Sequence, residues 1–153
     1  MPHATIDIDA YPGNIVNNDF LTSKTTRSGV DPATGEALPK VPIASREDLD
    51  VAVAHARDAF KTWSQTPFGE RAKLLLQFAD AIEANRGPLE KLLTLESGKP
   101  IGLSNTEINK TLASLRAFAT MELKDEVLEQ DEEKTVYSTR VPMGVCAAIV
   151  PWN

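Results

Sequence analysis

Val145-Cys146-Ala147-Ala148-Ile149-Val150 is a continuous apolar run that lies between Pro142-Met143-Gly144 and Pro151-Trp152-Asn153. Its length and its Gly and Pro boundaries predict a strand buried on both faces, as in parallel sheets covered by helices. Parallel neighbours need crossover connections of about a dozen or more residues, and only Pro151-Trp152-Asn153 follow the run. We therefore expect that the chain is incomplete as a folding unit or that something else completes the sheet. A helix here, or a run facing water, would argue against this fold.

Two amphipathic helices are predicted upstream, where apolar residues recur every three to four positions. The first spans residues 45–63, with Ser45 as its N-cap and acidic residues in its first turn. His55 falls off its apolar stripe and is expected to face solvent. The second begins near Thr66, with Pro67 in its first turn, and ends at Gly87-Pro88.

Two further helices are predicted before residue 125. A short one runs from about Pro88 to Ser97 and is stopped by Gly98 and Pro100. The next is expected to begin at Ser104, because Ser104-Asn105-Thr106-Glu107 has the pattern of a capping box.

Short strands are predicted on both sides of these helices. Asp31-Pro32-Ala33-Thr34-Gly35 is typical of a turn between two strands. After residue 125 the helical period ends, and residues 126–141 contain β-branched and aromatic residues around the acidic segment 131–133, which predicts a hairpin with a solvated turn and no metal site. Ile6 and Ile8 alternate with aspartates, which fits a short edge strand or a frayed tail.

Composition and charge limit the classes of function. The 153 residues are 42% hydrophobic and 25% charged, which is ordinary for one globular domain. The net charge of -6 disfavours binding to nucleic acid or to anionic membranes. The one cysteine, Cys146, can form no internal disulfide, and we expect it to be a buried, inert thiol. With no leader-like start and no apolar stretch of membrane-spanning length, the sequence predicts a cytoplasmic protein.

Five motifs in order resemble the aldehyde dehydrogenase superfamily, from about Val16 to the last residue. The pattern P-x-G-V, a strand and P-W-N at residues 142–153 is similar to the start of that family's dinucleotide-binding sheet. The segment 31–36 is similar to its N-P-x-T-G-E turn, with Asp31 where Asn is usual. Residues 126–141 lie where the family has its oligomerisation hairpin. The other matches are Ala52, Ala56, Ala59-Phe60 and Trp63 in the first helix, Arg71 with Leu74-Leu75 in the second, and Glu96-Ser97-Gly98-Lys99-Pro100 after the third.

The resemblance implies an α/β fold and an NAD- or NADP-dependent oxidation of an aldehyde to a carboxylic acid. It divides the chain into strands and helices of the cofactor-binding domain (1–125), an oligomerisation-type hairpin (126–141) and the first strand of a Rossmann-like sheet (142–153). The family's nucleophilic cysteine, general-base glutamate and G-x-x-x-x-G cofactor loop would all lie beyond residue 153. We therefore expect the isolated chain to be inactive, poorly stable and prone to associate, and the complete enzyme to be a homo-oligomer.

The same resemblance implies a role for each of the last residues. Asn153 would donate to the oxyanion, while Ile149, Val150, Pro151 and Trp152 would line the nicotinamide-ribose region of NAD or NADP. Simpler alternatives remain open: Trp152 as core packing, and Asn153 as a solvated end in the isolated chain. Lys99 suggests phosphate binding, but the segment lacks the other P-loop residues and is better explained as a helix stop. An alternative function is a non-catalytic remnant that acts as an interaction or oligomerisation module.

Overall fold

The computed structural model describes residues 13–150, and the predicted strand at Ile6 and Ile8 lies outside them. The chain is α/β, as the sequence predicts, and residues 13–150 form the four expected helices together with three pairs of short strands. The strands are β1 (Asn14–Val16), β2 (Asp19–Leu21), β3 (Thr25–Val30), β4 (Ala37–Ile43), β5 (Glu126–Gln130) and β6 (Thr135–Ser138). The helices are α1 (Arg46–Trp63), α2 (Phe68–Ala84), α3 (Arg86–Ser97) and α4 (Ile101–Phe118).

Each strand pairs with its sequence neighbour in an antiparallel ladder. The predicted turn between β3 and β4 is confirmed. The Gly35 N–H donates to the Asp31 carbonyl at 2.8 Å, and Gly35 has a φ of 76°, which favours glycine. The Asp31 side chain also accepts from the Ala33 N–H at 2.8 Å, so the aspartate closes the turn.

The start of α1 is confirmed, and its cap is more complete than predicted. Ser45 accepts from the Asp48 N–H at 3.1 Å, while the Asp48 carboxylate accepts from the Ser45 N–H at 2.8 Å. This reciprocal pair is a capping box, which satisfies backbone donors that the first turn leaves free. His55 is exposed, in agreement with the pattern.

The predicted end of α2 at Gly87-Pro88 is wrong. The chain turns earlier, at the buried Asn85, whose side-chain amide donates to the Ala81 carbonyl at 3.0 Å. Gly87 and Pro88 lie in the first turn of α3. Proline is tolerated there because a first-turn N–H has no partner within the helix.

The predicted start of α4 at Ser104 is also wrong. The helix begins at Ile101, directly after Pro100. Ser104 lies one turn inside it, fully buried, and its hydroxyl forms a hydrogen bond of 2.8 Å with the Thr94 hydroxyl of α3. A buried hydroxyl group needs a hydrogen-bond partner. Ser104 finds its partner on α3, and the hydrogen bond therefore links α3 to α4.

The core lies where α2, α3 and α4 pack together. Ala79, Ile108 and Leu112 are buried there. Partly buried side chains surround them, namely Ile82, Leu89 and Leu115. Many large apolar side chains elsewhere are exposed, among them Phe78 (57%), Phe118 (60%) and Leu123 (71%). The chain therefore presents much apolar surface, as the sequence predicts for the isolated chain.

The run from Val145 to Val150 is not a buried strand in this structure. It forms no strand and pairs with none of the residues from 13 to 150. Ile149 is 98% and Val150 79% exposed, and Cys146 is also exposed, so the expected buried thiol is wrong. Burial of a strand requires neighbouring strands, and no parallel neighbour lies in the described part of the chain. The predicted buried strand is therefore wrong for this structure, and because residues 13–150 contain no strand that could bury the run, its exposure to water does not decide against the fold.

No helix within residues 13–150 is both long and apolar enough to cross a membrane.

Candidate functional site

Only two of the five predicted site residues fall within the described part of the chain. Ile149 and Val150 lie at its end, outside any helix or strand and exposed. Pro151, Trp152 and Asn153 lie outside the described residues. The roles of all five residues stay predictions.

Two of the motifs quoted from the sequence meet in space. Gly98 ends α3 with a φ of 71°, and its N–H donates to the Thr94 carbonyl at 2.8 Å. A Cβ added at Gly98 would lie 2.6 Å from Cγ of Pro32 in the β3–β4 turn. Two carbon atoms that are not bonded to each other do not approach so closely. Glycine is therefore required here both for the positive φ and for the close approach.

Lys99 is held by an ion pair to the Glu107 carboxylate of α4. The lysine side chain is only 12% exposed and the glutamate 32%. A lysine that binds phosphate presents its ammonium to the ligand, whereas this ammonium faces a carboxylate of its own chain. The arrangement favours the structural role of the segment 96–100, a helix stop that links α3 to α4.

A second polar cluster joins α2, α3 and α4. Arg86 donates to both oxygens of Glu83, at 2.9 and 2.7 Å, and to Glu90 at 3.3 Å. The Asn105 amide of α4 donates to the same Glu90 carboxylate at 2.7 Å. The hydrogen bond between Arg86 and Glu83 lowers the pKa of Glu83 and raises the pKa of Arg86. These shifts arise from structural pairing and do not indicate a general acid or base.

Asp58 and Lys61 form a second pair with shifted pKa values, on the solvent side of α1. Their charged atoms lie 2.7 Å apart, and their side chains are 72% and 75% exposed. The hydrogen bond between them lowers the pKa of Asp58 and raises that of Lys61. A solvated pair of this kind carries no catalytic signal.

Within residues 13–150, no group of three His, Cys, Asp or Glu side chains is placed to hold a metal ion. The acidic segment after β5 is engaged in a turn. Asp131 accepts from the N–H groups of Glu133 and Lys134, each at 2.8 Å, and Lys134 pairs with Glu129 at 2.9 Å. These contacts fit the predicted hairpin turn.

Sequence reasoning missed a groove of about 650 Å³, which we call the α1–α2 groove. Three stretches that are distant in sequence form it: the end of α1 together with the first half of α2, the residues after α4 and the residues after β6. Its apolar lining includes Trp63, Phe68, Leu75 and Val141. The first three fall in predicted helices, but nothing local in the sequence shows that the three stretches converge.

Comparison with known proteins extends over nearly the whole chain. A family model described as the aldehyde dehydrogenase family matches residues 20–153. An aldehyde dehydrogenase of Fusarium sp is 39% identical over 140 residues, and a malonate-semialdehyde dehydrogenase of Geobacillus thermodenitrificans is 35% identical over 147 residues. Each alignment covers 92% of this chain and 30% of the relative. The chain thus spans about 30% of the length of the curated relatives that it matches.

Solved structures give the same result for the fold. The NAD+ complex of an aldehyde dehydrogenase from Bacillus cereus superposes with a TM-score of 0.78 at 29% identity, over 85% of this chain and 28% of that one. A betaine aldehyde dehydrogenase from Staphylococcus aureus, also solved with NAD+, gives 0.75 at 26% identity, over 80% and 25%. With motifs, fold and family model in agreement, the chain belongs to the aldehyde dehydrogenase family.

Proposed function

We propose that these residues are the N-terminal portion of an enzyme that oxidises an aldehyde to a carboxylic acid with NAD+ or NADP+. The observation that carries the proposal is the family match over residues 20–153. The similarity to a solved NAD+ complex supports the choice of cofactor. Which aldehyde is oxidised is left open, because relatives named for malonate semialdehyde and for betaine aldehyde both match this region.

Asn153 is the residue that we assign to the chemistry. In this reaction a thiolate attacks the aldehyde carbonyl, and negative charge develops on the former carbonyl oxygen. A fixed N–H donor aimed at that oxygen typically lowers the barrier by about 3–4 kcal/mol. Position 153 follows the carboxyl end of the proposed sheet strand, which is where open α/β sheets place their ligands. The side-chain amide of Asn153 would supply that donor.

The described residues could contact only part of the cofactor. Ile149 and Val150 are apolar and exposed, which fits one wall of a nicotinamide-ribose site, to which Pro151 and Trp152 would add. The sequence contains no G-x-x-x-x-G segment that follows a buried strand and could cradle the phosphates. When bound, NAD(P)+ supplies the hydride acceptor. The residues of this chain would pack against the cofactor and orient it.

The proposal predicts a sharp difference between two polypeptides. The purified 153-residue chain should form no NAD(P)H with any aldehyde, because by the resemblance the family's nucleophilic cysteine, general base and phosphate loop would lie beyond residue 153. A longer product of the same reading frame should contain a cysteine after a Gly-Gln-type turn and should form NAD(P)H. A continued frame without such a cysteine would refute the proposal, as would turnover by the 153 residues alone.

A second candidate function is that of an interaction module, and the exposed hairpin favours it. All strand residues of β5 and β6 except Ser138 are exposed, including Val127 at 58% and Tyr137 at 59%. A two-stranded hairpin with an apolar face is marginal until something covers it. This candidate predicts co-purification of the chain with a full-length relative. Recovery only as a lone, well-folded monomer would count against it. For either function, the single cysteine fits a reducing, cytoplasmic compartment.

A further inference from the structure

The β5–β6 hairpin makes no extensive contact with any of the four helices. The residues just before it, 121–123, and those just after it, 140–142, both line the α1–α2 groove at the ends of the helical layer. A two-stranded hairpin on its own is at best marginally stable in water. The direction in which this hairpin projects is therefore set at its base, where its two ends meet the helices.

Arg140 closes the base of the hairpin. The last backbone pair on that side joins Glu126 to Ser138. Continuing the same antiparallel register towards the base places Lys124 opposite Arg140, and there the Arg140 guanidinium donates to the Lys124 carbonyl at 3.2 Å. A side chain thus connects the two ends of the hairpin beyond the point where backbone pairing stops.

No competing ion pair engages this guanidinium among residues 13–150. Glu122 lines the same groove, but no carboxylate of the described residues lies within ion-pair distance of Arg140. A hydrogen bond from a charged donor is stronger than one between neutral groups. Residues 125–134 contain six acidic side chains and one lysine, and repulsion among like charges opposes a compact hairpin. A restraint at the base counts for more in such a hairpin.

We propose that Arg140 is a clamp that fixes the direction in which the β5–β6 hairpin projects from the helical layer. Arg140 is a positioning residue, because it acts on the hairpin and not on a partner. The proposal rests on the second candidate function, in which the exposed hairpin is the interaction surface. A hairpin held in one direction loses less conformational freedom when a partner binds, and so it binds more tightly.

Distances between two spin labels test the clamp directly. The labels are attached to Glu132→Cys in the hairpin turn and to Lys110→Cys on α4, both exposed positions, in a Cys146→Ser background. Arg140→Met keeps a long side chain but has no donor, so the distance distribution should broaden. Arg140→Lys keeps a charged donor and should restore a narrow distribution. Arg57→Met is the matched control, because Arg57 is exposed on α1 and has no ion pair within the described residues.

Amide hydrogen exchange of the 153-residue chain gives a second measurement. In Arg140→Met the amides of residues 126–138 should exchange about three- to ten-fold faster, the change expected from the net loss of one hydrogen bond. Amides of α2, α3 and α4 should exchange at the rates of the native chain. Equal distance distributions in the native chain and Arg140→Met would overturn the proposal. So would equal acceleration of hairpin and helices, which would show an effect on global stability, or an Arg140→Lys variant that behaves like Arg140→Met.

The clamp and the interaction function can fail separately. The native chain and Arg140→Met are each co-expressed with a full-length relative, for example the aldehyde dehydrogenase of Fusarium sp, and Arg140→Met should co-purify several-fold less. If the native chain does not co-purify but its distance distribution broadens in Arg140→Met, the interaction module is rejected and the clamp is kept. If both chains co-purify to the same extent, the module is kept and the contribution of the clamp to binding is rejected.

Discussion

The substitution Gly98→Ala tests how the helical layer is joined to the β3–β4 turn. Gly98 has a φ of 71°, where an alanine costs about 1–2 kcal/mol. The new Cβ would also lie 2.6 Å from Cγ of Pro32, and forced overpacking typically costs about 1–3 kcal/mol. We therefore expect a total loss of about 2–5 kcal/mol, or about 4–20 °C in Tm for a chain of this size.

Two other glycines separate these two costs. Gly35 has a φ of 76° with no atom within 4 Å of an added Cβ, so Gly35→Ala should show the backbone cost alone. Gly102 lies in the first turn of α4, also with open space around it. Gly102→Ala should stabilise the chain by up to about 1 kcal/mol, because alanine is the better helix former.

The assay is urea unfolding followed by far-ultraviolet circular dichroism. The buffer contains an osmolyte such as sucrose, which is excluded from the protein surface and so stabilises the folded chain enough to define its signal before unfolding. Pro32→Ala removes the contacted ring atom, so Gly98→Ala should cost less in that background, with a coupling of about 1 kcal/mol or more. A Gly98→Ala variant no less stable than Gly35→Ala, with no coupling to position 32, would refute the contact.

Three further predictions concern single contacts, each measured by the same unfolding assay. Ser104→Ala should cost about 1–3 kcal/mol, because the Thr94 hydroxyl loses its partner at 2.8 Å; the exposed Thr106→Ala is the control, and equal losses in the two variants would contradict this role. Ser45→Ala should cost about 1 kcal/mol through loss of the α1 cap, while the exposed Ser114→Ala should cost less, and an unchanged stability of Ser45→Ala would count against the cap. The pKa of Glu83 is lowered in the folded chain by Arg86, so its contribution is present above the ordinary value of 4.5 and is lost as pH falls through the folded pKa. The stability gap between the native chain and Glu83→Gln should therefore shrink on acidification, and a gap that widens would contradict the pairing.

The features that sequence predicts well are those fixed by near neighbours. Ser45 caps α1 through a residue three positions away. Gly98 ends α3 through its own backbone conformation, and the turn at Asp31 is closed by Ala33 and Gly35. In each case the physical cause lies within one turn of chain.

The features that sequence predicts wrongly, or misses, depend on contacts between residues that are far apart in sequence. Ser104 has a capping pattern, but its partner is Thr94 on another helix, and so the local pattern loses. Cys146 and Val150 are apolar and were expected inside, but burial requires neighbouring strands that residues 13–150 do not provide. The α1–α2 groove was missed because it forms only where residues 63–75 meet residues 121–123 and 140–142, which are far away in sequence. Local patterns specify the elements, and contacts between distant segments decide where those elements are buried.

The assignment of Asn153 is tested most directly by substitution in the longer protein that the proposed function predicts. Asn153→Ala should reduce kcat for aldehyde-dependent NAD(P)H formation by about 10²–10³-fold, with KM for the aldehyde little changed, because the lost donor acts on charge that develops during attack. Trp152→Phe, which keeps an apolar wall at the neighbouring position, should retain most of kcat. An Asn153→Ala variant with kcat close to that of the parent enzyme would contradict the proposed role of this residue.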